Sequence, residues 1–316
     1  DGEIPKIVCM VIQDLRSGEV SRYWRDDLCK MKTPPFETGE DVAIVSYFPP
    51  AEVQSMLALC WAINVSVIDL FAEFRCQTNG DPNVGRKSLV SALQLYGLKQ
   101  FIPEEKDSMR DLILSEGPWS KAQRSAILDY CQQDVVALGP LLNAMLRHAP
   151  WSELQFNQAL LRGRYMKTVG AMQHRGIPID LGMLDKLDAN WEKIKLNLIE
   201  NVDAQYCVYV DGRFKEALFQ SYLARGMIPW PRLDSGRLAL DRNTFSNMSK
   251  RYPILQPLHE LRKTLGEFKL NNLAVGRDGR NRTLLSPLAA KTGRNQPSTT
   301  KFIFGPAKWI RGLIKP

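Results

Sequence analysis

The chain has no apolar run approaching the ~20 residues needed to cross a bilayer, so the sequence excludes a spanning helix. It has no Cys-x-x-Cys pair. Its six cysteines, Cys9, Cys29, Cys60, Cys76, Cys131 and Cys207, are scattered, which argues against a zinc site and a disulfide framework. The opening Asp-Gly-Glu-Ile-Pro carries neither a basic region nor an apolar core, so no secretory signal is expected. These absences predict a reducing, cytoplasmic setting. Internal repeats and low-complexity tracts are absent as well. Acids almost vanish toward the end: residues 277–316 hold nine Lys or Arg and one acid, Asp278.

What is present is ordinary in amount and uneven in placement. The 316 residues suffice for about two domains, with 44% hydrophobic and 24% charged residues, as in soluble globular proteins. The net charge of +8 conceals an acidic first half, 15 Lys or Arg against 20 Asp or Glu in residues 1–150. The rest of the chain is basic, with 27 against 14. A basic half suits a polyanion held through phosphate contacts, and an acidic half suits divalent cations.

Apolar runs rich in β-branched residues predict strands at Ile7–Gln13, Val20–Trp24, Asp41–Tyr47 and Val65–Ile68, the first two joined as a hairpin. Helical spacing predicts Ala51–Ala62, Leu70–Arg75, Ser88–Tyr96 and Lys121–Met145, the last with a break at Gly139-Pro140. The first 150 residues therefore read as α/β. Beyond Pro150 helices dominate: Leu154–His174, Leu181–Tyr206, Arg213–Arg225, Arg242–Lys250 and Ile254–Leu273.

Two groups of residues carry chemistry. Lys291-Thr292-Gly293-Arg294-Asn295-Gln296 sits in the basic end segment. Arg294 has a planar fork for a base edge or phosphate, Asn295 and Gln296 can donate and accept at base or sugar edges, and Lys301 and Arg311 add phosphate partners. The second group is Tyr130-x3-Asp134 on a predicted helix, where residues four apart share a face and can reach one site. Read alone, the two patterns also fit a solvated loop and a surface pair.

The run from Ala289 to Lys315 resembles the segment of family A DNA polymerases that grips the primer–template minor groove. A Thr-Gly-Arg motif opens the palm there, and Trp309-Ile310-Arg311-Gly312-Leu313-Ile314 matches the stretch leading to the first metal-binding aspartate. The likeness extends back to Arg162–Asp180, which resembles the start of the family's thumb through Gly176-Ile177-Pro178-Ile179-Asp180, and to Leu258–Leu273, which resembles its returning helix. It implies that Arg294 contacts the primer end, with Thr292, Gly293, Asn295, Gln296, Lys301 and Arg311 as DNA-binding neighbours.

Ahead of the thumb the resemblance implies a DEDD-type 3′–5′ exonuclease. In that family the Asp134 position binds a metal and the Tyr130 position orients the attacking water. Glu52, in Tyr47-Phe48-Pro49-Pro50-Ala51-Glu52, takes the place of the second acidic motif, although Phe48 stands where the family has asparagine. Asp69 is the alternative, and it also reads as a helix N-cap after a strand. Asp1-Gly2-Glu3 has the Asp-x-Glu spacing of the first motif in an unsuitable strand context, and the true motif is expected upstream.

The resulting expectation is an α/β ribonuclease H-like exonuclease domain over 1–150, incomplete at its N-terminus. A mainly α-helical thumb region follows over 151–285, and the start of an α+β palm over 286–316. The intact enzyme is expected to be a DNA-directed DNA polymerase in replication or repair. It would use two Mg2+ or Mn2+ ions, primer–template DNA and deoxynucleotides, act as a monomer and avoid membranes. The chain itself is expected to lack the polymerase metal ligands, to bind no metal firmly and to have an impaired exonuclease. A stand-alone exonuclease and a non-catalytic DNA-binding module are the alternatives.

Overall fold

The computed structural model describes residues 2–85, 87–98, 103–267, 273–290, 292–305 and 308–315. Asp1, Lys291 and the 268–272 part of the expected returning helix lie outside the described residues. The chain forms two compact units, Asp1–Gly176 with Arg282–Pro297, and Ile177–Asn281 with Ser298–Pro316.

The first unit opens with strands β1 (Cys9–Gln13) and β2 (Val20–Trp24), paired antiparallel from Cys9↔Trp24 to Gln13↔Val20. A short helix α1 (Arg25–Leu28) leads to β3 (Gly39–Ser46). Helix α2 (Pro50–Ala58) crosses over to β4 (Val65–Asp69), which pairs with β3 in parallel. Asp69 ends β4 and caps α3 (Leu70–Gln77). Helices α4 (Leu89–Leu95), α5 (Pro103–Leu114), α6 (Lys121–Val136), α7 (Leu138–His148) and α8 (Glu153–Arg175) follow. Ser120 with Gln123, and Ser152 with Gln155, form capping boxes that start α6 and α8.

Helix α8 organises this unit. Ala159, Gly163, Met166, Gly170 and Gln173 recur every three or four residues and are all buried. Gly163 sits so close to β4 that a Cβ there would lie 1.7 Å from the Val67 carbonyl oxygen. A Cβ on Gly170 would lie 2.7 Å from Val53 of α2. The Lys167 ammonium donates to the carbonyls of Ile63 (3.3 Å) and Val65 (3.1 Å). The helix thus covers β4 carbonyls that would otherwise form an open sheet edge. Arg162 forks onto buried Glu73 of α3 at 2.6 and 2.8 Å. Around α3, Ile68, Leu70, Phe74, Leu93, Leu141 and Met145 form a common core.

In the second unit β5 (Ile177–Pro178) follows Gly176, whose φ of +62° ends α8. Asp180 accepts from the Met183 amide at 2.9 Å to cap α9 (Leu181–Ala189). Then come α10 (Trp191–Asp203), the strands β6 (Tyr209–Val210) and β7 (Arg213–Phe214), α11 (Glu216–Arg225), α12 (Arg242–Arg251), α13 (Gln256–Glu267) and β8 (Arg280–Asn281). Strand β8 pairs antiparallel with β5. One core gathers Tyr206, Phe219, Leu223, Phe245 and Leu258, with the Arg262 guanidinium between Phe214 and Phe245 at 4.2 and 4.3 Å. A second core joins Ile179, Ile303, Ile310 and Leu313. The buried Asn281 side chain donates to the carbonyls of Ala274 and Lys301 and accepts from the Ile303 amide at 2.9 Å.

Several elements differ from the expectation, each for a local reason. Residues 213–215 are not helical. Asp211-Gly212, with φ of +50° and +70°, makes a tight turn between β6 and β7, the conformation Asp-Gly favours in hairpins. The stretch expected as one helix over Leu181–Tyr206 breaks at Asn190 into α9 and α10. The expected break in Lys121–Met145 falls at Ala137, not at Gly139-Pro140. Pro140 thereby occupies the first turn of α7, where its missing N–H costs no helical bond. Helix α5 has no counterpart among the expected elements.

Candidate functional site

The sharp end of β4 and the start of α2 place two acids together. Asp69 is fully buried, and its Oδ1 accepts from the Phe71 amide at 2.9 Å and the Phe48 amide at 3.1 Å. Phe48 reaches that bond with a φ of +75°, a left-handed conformation unusual for a bulky residue, and its ring packs edge-on against Phe71. This is the position where the resembled family carries asparagine, which tolerates that φ far better. Glu52 lies in the first turn of α2 with its Oε2 enclosed, although part of the residue reaches the surface.

Burial dominates the electrostatics of the pair. Desolvation, then the neighbouring Asp69 charge, push Glu52 up to about 8. Desolvation pushes Asp69 up to about 7 despite the backbone amides that favour its anion. Glu52 Oε2, Asp69 Oδ2 and the Ser46 hydroxyl are all enclosed without a hydrogen-bond partner. Ser46 is the β3 partner of Asp69 in the strand register. Protonation of Glu52 would remove the cost of burying its charge.

The structure thus brings together the two rival second-motif residues. Tyr130 and Asp134 stand one turn apart on α6. Burial, then the Asp134 carboxylate, hold the Tyr130 phenol above its ordinary value. Cys131, between them in sequence, adds to the rise of Glu52. Among the described residues no group of three His, Cys, Asp or Glu side chains stands close enough to hold a metal ion. The described residues therefore do not fit a two-metal centre, which needs several shared carboxylate ligands.

The basic motif is divided. Thr292, Gly293, Arg294, Asn295 and Gln296 belong to the first unit, and Lys301 and Arg311 to the second. Gly293, at φ +75°, donates to the Ala290 carbonyl at 2.9 Å, and Ala290 donates to the Arg294 carbonyl at 3.2 Å. Thr292, Arg294 and Gln296 are exposed. Asn295 accepts from the Tyr165 hydroxyl of α8. Arg75 donates to the Ala289 carbonyl at 3.4 Å, and Arg282 to the His174 carbonyl at 2.7 Å, which fixes the segment on the first unit. Exposed Arg311 lies over Phe304 at 5.4 Å.

Comparison with known proteins bears on the fold. No family model matches the chain, and no curated protein matches its sequence. Among solved structures it is similar to the POL domain of Pol1 from M. smegmatis, in a complex with DNA primer-template and dNTP, with a TM-score of 0.53 and 16% identity. The fold is similar to that of a DNA polymerase domain. The match covers 85% of this chain and 44% of that one, so the chain spans less than half of its neighbour. No helix among the described residues is long and apolar enough to cross a membrane.

Sequence reasoning missed two features. Cys131 was passed over inside Tyr130-x3-Asp134, and its position on the face toward β1 appears only once α6 packs. In the second unit, Tyr222, Tyr252, Arg225 and Arg251 line an open cavity of about 600 Å³. Aromatic and basic residues together are the composition of a nucleic-acid surface, but these are too spread along the chain to form a motif.

Proposed function

We propose that the chain is part of a family A-type DNA polymerase, and that its basic segments hold primer–template DNA while a nuclease-like domain serves as scaffold. The observation that carries this reading is the polymerase-domain likeness over 85% of the chain. The basic residues 277–316 and the exposed Arg294 in its Thr-Gly-Arg turn support it. On this reading residues 1–150 are the exonuclease-like domain, 151–285 the thumb and 286–316 the start of the palm. Arg294, Thr292, Gly293, Asn295, Gln296, Lys301 and Arg311 contact DNA. Nucleotide transfer with Mg2+ or Mn2+, deoxynucleotides as substrates, a monomeric state and a cytoplasmic place belong to the intact protein.

The nuclease half is read as non-catalytic. Glu52 and Asp69 favour protonation, Phe48 replaces the family's asparagine, and the acids that fit a metal pair are too few. Fluorescence anisotropy with a labelled primer–template at several salt concentrations tests the DNA reading. Affinity is expected to fall steeply with salt as phosphate contacts release counterions. A flat salt response, or no binding at low salt, would overturn it. Robust magnesium-dependent digestion of single strands, lost in Asp134→Ala, would overturn the scaffold role.

A further inference from the structure

We propose that the open cavity of the second unit binds a nucleoside phosphate, with the base against Tyr222 and Tyr252 and the phosphate held by Arg225 and Arg251. Three helix ends form its walls: α10 gives way to Gln205, Tyr206 and Cys207, α11 ends at Arg225, and α12 ends at Arg251. One compact unit supplies all of them. The walls are tied to one another. The buried Tyr206 hydroxyl donates to the Ile254 carbonyl at 2.5 Å, joining the first wall to the third. The Tyr206 and Tyr222 rings meet with centroids 5.2 Å apart, joining the first to the second. Tyr206 belongs to the unit's core, and Tyr222 and Tyr252 pack against that core. The hollow is therefore preformed, and its volume of about 600 Å³ suits a small ligand.

The lining selects the ligand. Arg225 and Arg251 are exposed, and no Asp or Glu lines the cavity among the described residues. The acid nearest in sequence, Asp203, is taken up by the Val208 and Tyr209 amides at 2.8 and 2.9 Å. Both arginines end a helix, where the dipole favours a cation, yet two full charges without an acid call for an anion. The arginine fork suits phosphate. The Arg251 guanidinium stands 5.7 Å from the centre of the Tyr252 ring, so charge and aromatic surface lie side by side. A flat body carrying a phosphate meets both, and the exposed Gln205 amide can pair with a base edge. Stacking tolerates any base, so little base preference is expected. The inference rests on the nucleic-acid reading above for the choice of a nucleotide over other flat anions, and it uses none of residues 277–316.

Cys207, exposed in the cavity wall, reports occupancy in the full chain. Its alkylation by a maleimide is followed by peptide mapping, with the exposed Cys29, Cys60 and Cys76 as internal references. The added ligands are oligothymidylate, thymidine monophosphate, a blunt DNA duplex and inorganic phosphate. Oligothymidylate is expected to slow Cys207 and leave the references unchanged. Slowing by the monophosphate as well identifies a free nucleotide as occupant; slowing by the oligonucleotide alone identifies a nucleotide within a single strand. Arg225→Ala and Arg251→Ala should each raise the concentration required about tenfold or more. Tyr252→Ala should raise it about 5- to 150-fold, and Tyr252→Phe, which keeps the ring, should not. Blunt-duplex binding by anisotropy should persist in the arginine variants. The proposal is overturned if neither thymidine ligand slows Cys207, if inorganic phosphate or the duplex slows it equally, or if both arginine variants respond like wild type. With duplex binding intact, those results sink the cavity alone. Absent duplex binding with Cys207 still protected by a thymidine ligand would sink the primer–template reading and leave the cavity standing.

Discussion

Replacing Gly163 by alanine sets two opposed effects against each other. In a helix interior the change alone gains ~1 kcal/mol, because glycine carries the larger backbone entropy loss. At Gly163 the added methyl would stand 1.7 Å from the Val67 carbonyl oxygen and 2.6 Å from its carbon. Those atoms are strand backbone and cannot swing aside as a side chain can. Ordinary contact requires α8 to withdraw by roughly 1.5 Å, which also lengthens the Lys167 bonds to Ile63 and Val65. Overpacking of this kind costs about 3 kcal/mol. Set against the helical gain, a net loss of about 2 kcal/mol remains, or a fall of roughly 4–8 °C in the melting of the first unit. Urea unfolding followed by tryptophan fluorescence measures it. Gly266→Ala in α13, where a Cβ meets nothing within 4 Å, is the control and is expected to be neutral or stabilising by up to ~1 kcal/mol. If Gly163→Ala were as stable as wild type, the close seating of α8 on β4 would be wrong.

Arg162→Ala should cost about 3–5 kcal/mol, because it leaves Glu73 buried without its partner; urea titration checks this, and an equally stable variant would show the pair is not desolvated. The buried acids set a pH dependence. Glu52 and Asp69 have folded values near 8 and 7, above their ordinary carboxylate range, so the unfolded chain releases protons more readily. Stability is therefore highest below about pH 4 as far as these groups decide, and is lost as pH rises toward 8. Melting curves from pH 5 to 9 should show Glu52→Gln falling less than wild type; parallel curves would contradict the burial of Glu52. Arg294→Ala should weaken duplex binding by ~1–3 kcal/mol, and Arg16→Ala, in the hairpin turn of the acidic half, much less. Matched anisotropy titrations of the two folded variants decide this, and equal losses would mean diffuse attraction.

The sequence was most legible where one face of an element repeats. The hairpin, β3, β4 and α8 follow from their apolar runs and spacing, and Asp69 as a helix cap follows from a strand ending in an acid. The Asp211-Gly212 turn is visible in the letters, but Arg213–Lys215 beyond it reads as helix because the helical spacing of Glu216–Arg225 extends back over it. The pairing of Glu52 with Asp69 could not be read. It depends on the parallel register of β3 with β4, which sets Ser46 beside Asp69 and delivers α2 to the same end. The packing of α6 on β1 is likewise a contact that no local pattern announces. The affiliation of 282–297 with the first unit was equally hidden, since it rests on single bonds such as Arg282 to His174 and Tyr165 to Asn295.

Each compact unit is completed by a segment that the ribosome delivers late. The first awaits Arg282–Pro297 and the second awaits Ser298–Pro316. At ~5–20 residues per second, residue 282 is added roughly 14–56 s after residue 1 and emerges later still. Until then the buried sites of Arg282 and of the Ile303, Ile310 and Leu313 cluster stand without their occupants. Vectorial folding from the N-terminus therefore has no finished stopping point along this stretch, and a nascent chain halted near residue 280 would expose apolar surface from both units at once. Such an intermediate is a natural client for chaperones that bind exposed hydrophobic chain.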